Sequence, residues 1–328
     1  MKSNGEASGP GDGFIHQALI YGSDREFMDV VLPFVERALS SQEPTLVAVQ
    51  ERHIENLRSG LAGAPEGLTL HPVEDWYETS ARTREKFARW VAERAEGAHR
   101  VRLVGEPPWA LGHEAQLRDW ARHESVINVA FAGRPVTFIC PYDQRALPDE
   151  VLAYARGTHP EIVDGGGTTR SAAYENPLDF CARLDSAIDG QTGEPAIELE
   201  FTLEDLPTIR RVVGSFALDA GLDVSRTEEF VLAVNEITTN AVIHGRPPAT
   251  LRVWHADGEV VVEVADSGDG IRDTLPGQLT PPLISRGGRG LWMTRQLCDA
   301  VEVSCDETGC AVTVHAATAN RVGSLTPV

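Results

Sequence analysis

Short apolar runs alternate with amphipathic stretches over the first half of the chain. The apolar runs lie at 14–21, 45–50, 68–70, 101–104 and 135–140. Between them, apolar residues recur at helical spacing over 24–39, 52–61, 79–95 and 113–128. Strands that alternate with helices are typical of parallel βαβ units, in which helices cover the sheet. The pattern therefore predicts a three-layer α/β domain for this half.

The second half of the chain has a different pattern. Strand-like segments at 196–202, 250–255, 259–265, 300–305 and 310–316 accompany helical stretches at 206–220, 226–244 and 291–298. Ser225, with Glu228 three residues later, has the spacing of a capping box for the helix at 226–244. We expect these helices to lie on one face of a mixed sheet, which makes this half an α+β domain.

A polar, Gly-rich segment separates the two halves. Residues 189–195 have the sequence DGQTGEP and follow a predicted helix at 178–188, so we place the linker there. Another Gly-rich stretch, GGGTTR at 165–170, is expected to be flexible. The predicted organisation is a disordered lead-in at 1–13, a first domain at 14–188, the linker at 189–195, a second domain at 196–317 and a tail at 318–328.

Length and charge narrow the range of functions. The chain has 328 residues, more than a single core usually spans, which supports two domains. Its 29 basic and 49 acidic side chains give a formal net charge of −20. Non-specific binding to nucleic acid or to an anionic membrane needs positive charge, so we expect neither.

Targeting signals and cysteine content indicate the compartment. No run approaches the ~20 apolar residues of a membrane helix, and the N-terminal stretch has no apolar signal segment. Five cysteines are too few for a disulfide scaffold. We therefore expect a cytoplasmic protein with reduced thiols.

Three short motifs in the second half carry candidate chemistry. In the first, Glu236, Asn240 and His244 are spaced four residues apart on the predicted helix, so they share one face. A carboxamide oxygen can ligate Mg²⁺, and a carboxylate one turn away can orient or deprotonate a hydroxyl. Because the other faces of this helix are largely apolar, the polar row is expected to line a cavity.

The other two motifs are rich in glycine. DSGDG at 266–270 directly follows a strand, where its glycines permit positive φ and close approach of a flat ligand. RGGRGL at 286–291 opens a helix, where backbone N–H groups and two arginines favour an anion. Each motif alone is common: the two glycine motifs occur in ordinary turns and loops, and a Glu and an Asn four apart on a helix are usually solvated. All three in this order predict a nucleotide site.

Together, the three motifs resemble the N, G1 and G2 boxes of the Bergerat-fold (GHKL) ATPases, which include histidine kinases and gyrase B. The segments LAVNEITTNAVIHG, VADSGDGI and GGRGLWMTRQLCD are most similar to the RsbW-type anti-sigma-factor serine kinases. The resemblance covers about 196–316 and implies an α+β Bergerat sandwich that binds ATP and Mg²⁺.

The resemblance also implies a role for each matching residue. Glu236 would be the catalytic carboxylate near the γ-phosphate, Asn240 would ligate Mg²⁺, and Asp266 would accept a hydrogen bond from the adenine amino group. The remaining predicted nucleotide-binding residues are His244, Gly268, Gly270, Gly288, Arg289, Gly290 and Leu291.

One position departs from the family pattern. The family often has a Gly-Thr pair on a late strand, whose hydroxyl supports the adenine-binding aspartate. Here the matching pair is Gly309-Cys310, so a thiol replaces the hydroxyl. Cys305 and Cys310 flank a turn and could face each other across the hairpin, so reduced core cysteines and a disulfide are both open.

The first half resembles the MEDS domain, a sensory module related to RecA/KaiC-like folds. The matching segments include FIHQALIYGSDREFMDVVLPF, FICPYDQRALP and THPEIVDGG. In actinobacterial regulators of the RsbA family, this module precedes such kinase domains. No Gly-x4-Gly-Lys-Ser/Thr occurs, so no functional P-loop is expected, and a small-molecule ligand is left open.

Two histidines of the first half have alternative interpretations. His16, in the first predicted strand, could contact a ligand or partner, or it could be a satisfied core histidine. His123-Glu124 resembles the start of a histidine-kinase H box, but the strand at 135–140 leaves no room for the two-helix hairpin such a box needs. A pair on the surface of a helix is the preferred interpretation.

The two resemblances together imply a regulator with a sensory first domain and a kinase second domain. The kinase would bind a sigma factor and phosphorylate a Ser or Thr of a STAS-domain anti-anti-sigma partner. Two alternatives stay open: an inactive, ATP-gated scaffold that sequesters its partner, and a histidine-kinase-type subunit with a separate phosphoacceptor. A homodimer is also left open, and no direct contact with nucleic acid or membrane is expected.

Overall fold

The computed structural model describes residues 13–61, 65–109, 114–186, 194–271, 273–281 and 288–318. Most of the predicted linker, the lead-in up to residue 12 and the tail from residue 319 lie outside the described residues. The chain divides into two units, the first drawn from Met1–Glu78, Arg82–Ala110 and Trp120–Phe180 and the second from Thr79–Ala81, Leu111–Asp119 and Cys181–Val328. Among the described helices, none combines the length and the apolar character needed to cross a membrane.

A seven-stranded sheet forms the centre of the first unit. The elements in chain order are β1 (Ile15–Tyr21), α1 (Asp24–Ser40), β2 (Thr45–Val49), α2 (Glu51–Gly60), β3 (Leu68–Pro72), α3 (Val73–Trp76), α4 (Ser80–Arg94), β4 (Val101–Gly105), α5 (Glu114–Ala130), β5 (Val136–Asp143), α6 (Asp149–Thr158), β6 (Glu161–Asp164), β7 (Gly167–Arg170) and α7 (Pro177–Ser186). The strand order is β3-β2-β4-β5-β1-β6-β7. All neighbouring strands are parallel except β6 and β7.

Helices cover both faces of this sheet. Apolar side chains of α1 and α2 pack against one face in a single buried cluster, which includes Phe27, Val31, Leu57, Val47 and Ile139. On the other face, the ring of Phe87 from α4 lies 4.8 Å from the ring of Phe138 on β5, centroid to centroid. Parallel strands that are buried on both faces are continuously apolar, as β2 and β5 are. The prediction of a three-layer α/β domain is therefore confirmed.

The stretch at 165–170, which is predicted to be flexible, takes part in regular structure. Strands β6 and β7 form an antiparallel hairpin across this stretch, and Asp164 Oδ1 accepts a hydrogen bond from the backbone N–H of Gly166 at 2.7 Å. Gly167 has φ of 134°, a conformation that favours glycine. An Asp followed by glycines is therefore a turn signal here rather than a sign of disorder.

The second unit contains a five-stranded sheet. Its elements are β8 (Ile197–Phe201), a 3-10 turn (Leu203–Asp205), α8 (Leu206–Asp219), α9 (Val224–His244), β9 (Ala249–Ala256), β10 (Glu259–Asp266), α10 (Arg289–Leu297), β11 (Ala300–Asp306) and β12 (Gly309–Ala317). The strand order is β11-β12-β10-β9-β8, and every neighbouring pair is antiparallel. The α+β class is confirmed, whereas the expectation of a mixed sheet is wrong.

Helix α9 begins two residues earlier than predicted. Its N-cap is Asp223, whose side chain accepts a hydrogen bond from the backbone N–H of Arg226, while Ser225 lies inside the first turn. Asp and Ser are about equally good N-caps, so the local sequence does not determine which of them begins the helix. The packing of the helix in the folded domain determines it. Downstream, Phe230, Val234 and Ile237 are buried in the core that α9 shares with the sheet.

The sheet face that carries His315 holds a buried ionic cluster. His315 Nδ1 lies 3.2 Å from Glu259 Oε2, and its Nε2 lies 3.5 Å from Glu302 Oε2. Burial alone would lower the pKa of His315, but the two carboxylates outweigh it and raise the pKa to about 9.

This cluster predicts a pH dependence of stability. Because the folded protein holds the imidazolium proton more tightly than the unfolded chain, the charge on His315 stabilises the fold fully below pH about 6.5. That stabilisation is lost as the pH rises through about 9, so we expect the free energy of unfolding to fall by about 1–3 kcal/mol over this range. Urea denaturation at pH about 6.5 and at pH about 9 measures this difference in the free energy of unfolding.

The matched control is His315→Gln, which keeps a polar side chain but removes the titration. We expect this variant to be less stable than the wild type at the lower pH and to lose most of the pH slope. A wild-type slope that the variant reproduces would assign the effect to other groups.

Candidate nucleotide-binding site

Helix α9 presents a polar row to a cavity of about 460 Å³ in the second unit. Asn240 and His244, one turn apart, line this cavity beside the apolar side chains of Ile237 and Ala241. The full lining is Ile237, Asn240, Ala241, His244, Gly245, Val264, Asp266, Gly270, Ile271, Asp273, Pro276, Gly277, Gly288, Gly290, Leu291, Cys310 and Val312. A largely apolar cavity with a few polar groups is the ordinary form of a small-molecule site.

Two glycines accommodate Asp266 at the end of β10. Its Oδ1 accepts a hydrogen bond of 2.8 Å from the backbone N–H of Gly268. A Cβ on Gly245, the residue after α9, would lie 2.4 Å from that same oxygen and 2.3 Å from the carbonyl oxygen of Ala241. A Cβ on Gly268 would lie 2.7 Å from Oδ1. Both positions therefore need glycine for the helix end and the carboxylate to meet.

The orientation of Asp266 leaves one carboxylate oxygen for a ligand. No described group donates a hydrogen bond to Oδ2, and the residue lines the cavity. A carboxylate oxygen beside apolar walls is suited to accept from an amine or ring N–H of a flat ligand. Gly270, in the loop that follows Asp266, has φ of 72° and also lines the cavity.

The start of α10 lies against the polar row of α9. Gly288 occupies the N-cap position with φ of 82°, a left-handed conformation. A Cβ on Gly290 would lie 2.8 Å from Glu236 Oε2 and 3.3 Å from Asn240 Nδ2. The first backbone N–H groups of this helix therefore stand next to the two side chains predicted to handle phosphate chemistry, where a helix N-terminus favours an anion.

The predicted site residues differ in how they meet the cavity. Those that line it are Asn240, His244, Asp266, Gly270, Gly288, Gly290 and Leu291. Glu236 does not line the cavity but lies against Gly290, which does. Gly268 does not line it either, but its backbone N–H donates to Asp266. Arg289 is exposed at the first position of α10 and does not line the cavity, and Arg286 and Gly287 lie outside the described residues.

Sequence reasoning missed part of the lining. Gly277, in the loop before α10, has φ of 67°, and a Cβ there would lie 2.7 Å from the backbone carbon of Leu291. Asp273 also lines the cavity, and its Oδ1 accepts a hydrogen bond from the N–H of Leu275. The Pro276-Gly277 dipeptide is a turn signal that could have marked this loop as packed against the site.

A disulfide joins Cys305 to Cys310 across the last hairpin. The two residues are direct partners of β11 and β12, and Cys310 is in turn the strand partner of Asp266. Of the two alternatives left open by the sequence, the structure has the bonded pair, and the expectation of reduced thiols fails at these positions. The other cysteines, Cys140, Cys181 and Cys298, are free and buried.

The cavity fits a purine nucleotide chemically. It offers an acceptor at Asp266, apolar walls that include Ile237 and Val264, and the N-terminus of α10 at its other end. The carboxamide oxygen of Asn240 is a ligand type that Mg²⁺ accepts. The acceptor at Asp266 suits the polar edge of a base, the apolar walls suit its flat faces, and the helix N-terminus suits the anionic phosphates.

Comparisons with known protein families agree with this division of the chain. The family model described as MEthanogen/methylotroph, DcmR Sensory domain (MEDS) matches residues 15–160. The family model of the histidine kinase-like ATPase domain matches residues 199–315. The first domain thus matches the MEDS family and the second matches the histidine kinase-like ATPase family, a match that implies ATP binding.

Curated relatives of the ATPase domain are anti-sigma F factors. One from Clostridium botulinum (strain Eklund 17B) is 28% identical over 108 residues, which are 30% of this chain and 75% of the relative. One from Clostridium acetobutylicum is 28% identical over 124 residues, 35% of this chain and 87% of the relative.

Similar solved structures include the RsbU and RsbW domains of a Mycobacterium tuberculosis protein. That match has 22% sequence identity and a TM-score of 0.28, and covers 38% of this chain and 33% of the other. The catalytic domain of histidine kinase ThkA has 14% identity and a TM-score of 0.27, with 38% of this chain and 99% of the other covered.

The contact between Gly245 and Asp266 leads to a testable prediction. Gly245→Ala places a methyl group against the carboxylate of Asp266 and should displace it. If Asp266 accepts a hydrogen bond from the nucleotide, this displacement removes a charged hydrogen bond of ~1.5–3 kcal/mol. We expect the affinity for ATP, measured by isothermal titration calorimetry, to fall by at least ~10-fold.

Gly214→Ala on α8 is the control, because a Cβ there makes only an ordinary contact of 3.4 Å with Val231. This variant should bind ATP like the wild type and be as stable or slightly more so, since Ala favours a helix. Wild-type affinity in a folded Gly245→Ala variant would contradict the role given to this contact.

Proposed function

We propose that this chain is an ATP-dependent anti-sigma regulator whose second domain is a protein serine/threonine kinase. The observation that carries the proposal is the meeting of Glu236, Asn240 and the first turn of α10 at one end of a cavity that has Asp266 in its lining. The similarity to anti-sigma F factors supports the choice of partners. These would be a sigma factor and a STAS-domain anti-anti-sigma protein.

In the proposed reaction, a serine or threonine hydroxyl of the partner attacks the γ-phosphorus of ATP. The bond from that phosphorus to the bridging oxygen breaks, and ADP leaves. Glu236 is the carboxylate positioned to orient the hydroxyl and accept its proton, because it lies beside the start of α10. Asn240 would hold Mg²⁺, which neutralises phosphate charge when bound.

Asp266 and the glycines would fix the other end of the nucleotide. The free Oδ2 of Asp266 would accept from the exocyclic amine of adenine, while Gly268 donates to Oδ1 and Gly245 leaves room for the carboxylate. The backbone N–H groups at 288–291 face the phosphates, so that an acidic chain can bind an anion through local groups. Contacts at the adenine end and at the phosphate end would together position the γ-phosphate for in-line attack, and such positioning accelerates the transfer.

The histidine-kinase alternative has little support inside the first unit. His123 and Glu124, which resemble the start of an H box, lie within α5 with exposed fractions of only 1% each. The expectation of a pair on the helix surface is therefore wrong. A phosphoacceptor histidine must expose a ring nitrogen, so the buried His123 is a poor phosphoacceptor in this conformation. A phosphoacceptor on a separate protein stays open.

The inactive scaffold is the second candidate function, and one observation favours it. The adenine-side strand has Cys310 bonded to Cys305 instead of the hydroxyl usual in the family. Asp266 nevertheless has a backbone donor in Gly268, so its orientation does not depend on that hydroxyl. A scaffold would bind ATP and its partner without releasing or transferring phosphate.

Phosphoryl transfer to a co-expressed STAS-domain protein tests the proposal. We expect Glu236→Gln to lower the transfer rate by ~10²-fold or more, because the general base is lost, while ATP affinity stays within a few-fold of the wild type. Radiolabel from γ-labelled ATP in the partner, stable to acid, measures transfer to serine or threonine.

Glu228→Gln is the matched control, since it makes the same change at an exposed position of the same helix. It should transfer phosphate at the wild-type rate. ATP binding without transfer in the wild type would support the scaffold instead, and acid-labile label would support a histidine acceptor.

A further inference from the structure

Four metal-ligating side chains meet in the interior of the first unit. His16 of β1 and Cys140 of β5 come from neighbouring parallel strands, Glu124 comes from α5, and His159 directly follows α6. Their exposed fractions are 2%, 1%, 1% and 0% in the order His16, Cys140, Glu124, His159. One donor atom from each lies within 4.8 Å of the others. The nucleotide cavity of the second unit does not include any of them.

Three donor separations in this cluster have the size expected around one metal ion, and the others are no longer than 4.8 Å. His16 Nε2 and His159 Nε2 each lie 3.4 Å from Glu124 Oε2. Cys140 Sγ lies 3.4 Å from His16 Nε2. A tetrahedral zinc ion with metal–nitrogen bonds of ~2.0–2.1 Å and a metal–sulfur bond of ~2.3 Å separates its ligand atoms by about 3.3–3.6 Å.

Both imidazoles are oriented by hydrogen bonds through the other ring nitrogen. His159 Nδ1–H donates to the carbonyl oxygen of Ala155 at 2.8 Å. His16 Nδ1 lies 3.2 Å from Asn128 Oδ1, and the Asn128 amide nitrogen donates to the carbonyl of Thr158 at 2.8 Å. Because the amide nitrogen of Asn128 is bonded to Thr158, its oxygen faces His16. That oxygen can only accept, so Nδ1 of His16 carries the proton. Each Nε2 lone pair therefore faces the cluster, which is the arrangement that metal-binding histidines have.

Hydrogen bonds within the described parts of the chain do not satisfy this cluster. Glu124 Oε2 and His159 Nε2 are buried and have no hydrogen-bond partner there. With both ring protons directed outwards, the carboxylate oxygen faces two nitrogen lone pairs at 3.4 Å. The Cys140 thiol can donate to His16, but Glu124 and a neutral His159 stay unpaired. A second proton on His159 would pair it with Glu124 only by burying an imidazolium. Buried polar atoms without a partner are costly, and a cation among them would remove that cost.

We propose that the MEDS domain of this chain binds one divalent transition-metal ion through His16 Nε2, Glu124, Cys140 Sγ and His159 Nε2. Zinc is the best match, because two imidazoles, a thiolate and a carboxylate are ligands it accepts in a four-coordinate site. The mixture of nitrogen and sulfur donors disfavours Mg²⁺ and Ca²⁺, which prefer oxygen. All four positions are filled by protein, so the site holds the ion rather than presenting it to a substrate.

Metal analysis of the full-length chain tests this proposal. After exposure to Zn²⁺ and gel filtration, the wild type should retain one zinc per chain, as measured by elemental mass spectrometry. Replacement by Co²⁺ should give the visible bands of a tetrahedral ion and a thiolate charge-transfer band in the near ultraviolet. Cys140→Ser should abolish the thiolate band and lower the retained zinc at least ~10-fold.

Cys298→Ser is the matched control, because it changes another buried, free cysteine outside the cluster. It should retain one zinc and the full spectrum. If Cys140→Ser does not fold, X-ray absorption of the wild-type zinc form decides instead, with one sulfur and three nitrogen or oxygen ligands expected. No retained metal in the wild type, or a zinc environment without sulfur, would overturn the assignment.

Discussion

The close packing of the end of α9 against Asp266 is the contact on which the nucleotide site depends. Gly245 and Gly268 allow the carboxylate to lie within contact distance of the helix end, where a single Cβ on Gly245 would come within 2.4 Å of it. The same helix, one and two turns earlier, presents Asn240 and Glu236 to Gly290 at the start of α10. In the proposed function, base recognition and phosphate chemistry would therefore both depend on one helix and the small residues around it.

Much of the second domain follows from its sequence pattern. The four-residue spacing of Glu236, Asn240 and His244 on a helix indicates a shared face, and a glycine-rich segment after a strand indicates a turn. The precise contacts do not follow, because they depend on tertiary distances. Nothing local in the sequence shows that Gly277 packs on the backbone of Leu291, or that Arg289 stands outside the cavity.

The first domain shows the opposite limit of sequence reasoning. The alternation of apolar runs and helices predicts its parallel sheet, because local periodicity reflects burial. The donor cluster around Glu124 escapes such reasoning, because His16 and His159 are far apart in the chain and follow no ligand spacing. Parallel pairing of β1 with β5 brings His16 near Cys140, and only the folded sheet reveals this.

Base selectivity tests the account of the nucleotide site most directly. Adenine presents an exocyclic amine where guanine presents a carbonyl oxygen, and the free Oδ2 of Asp266 can accept a hydrogen bond only from the amine. Calorimetric titration of the full-length chain with ATP and with GTP, each with Mg²⁺, should therefore show ATP binding at least ~10-fold more tightly. Equal affinities, or no binding of ATP, would contradict the assignment of this cavity as an adenine-nucleotide site.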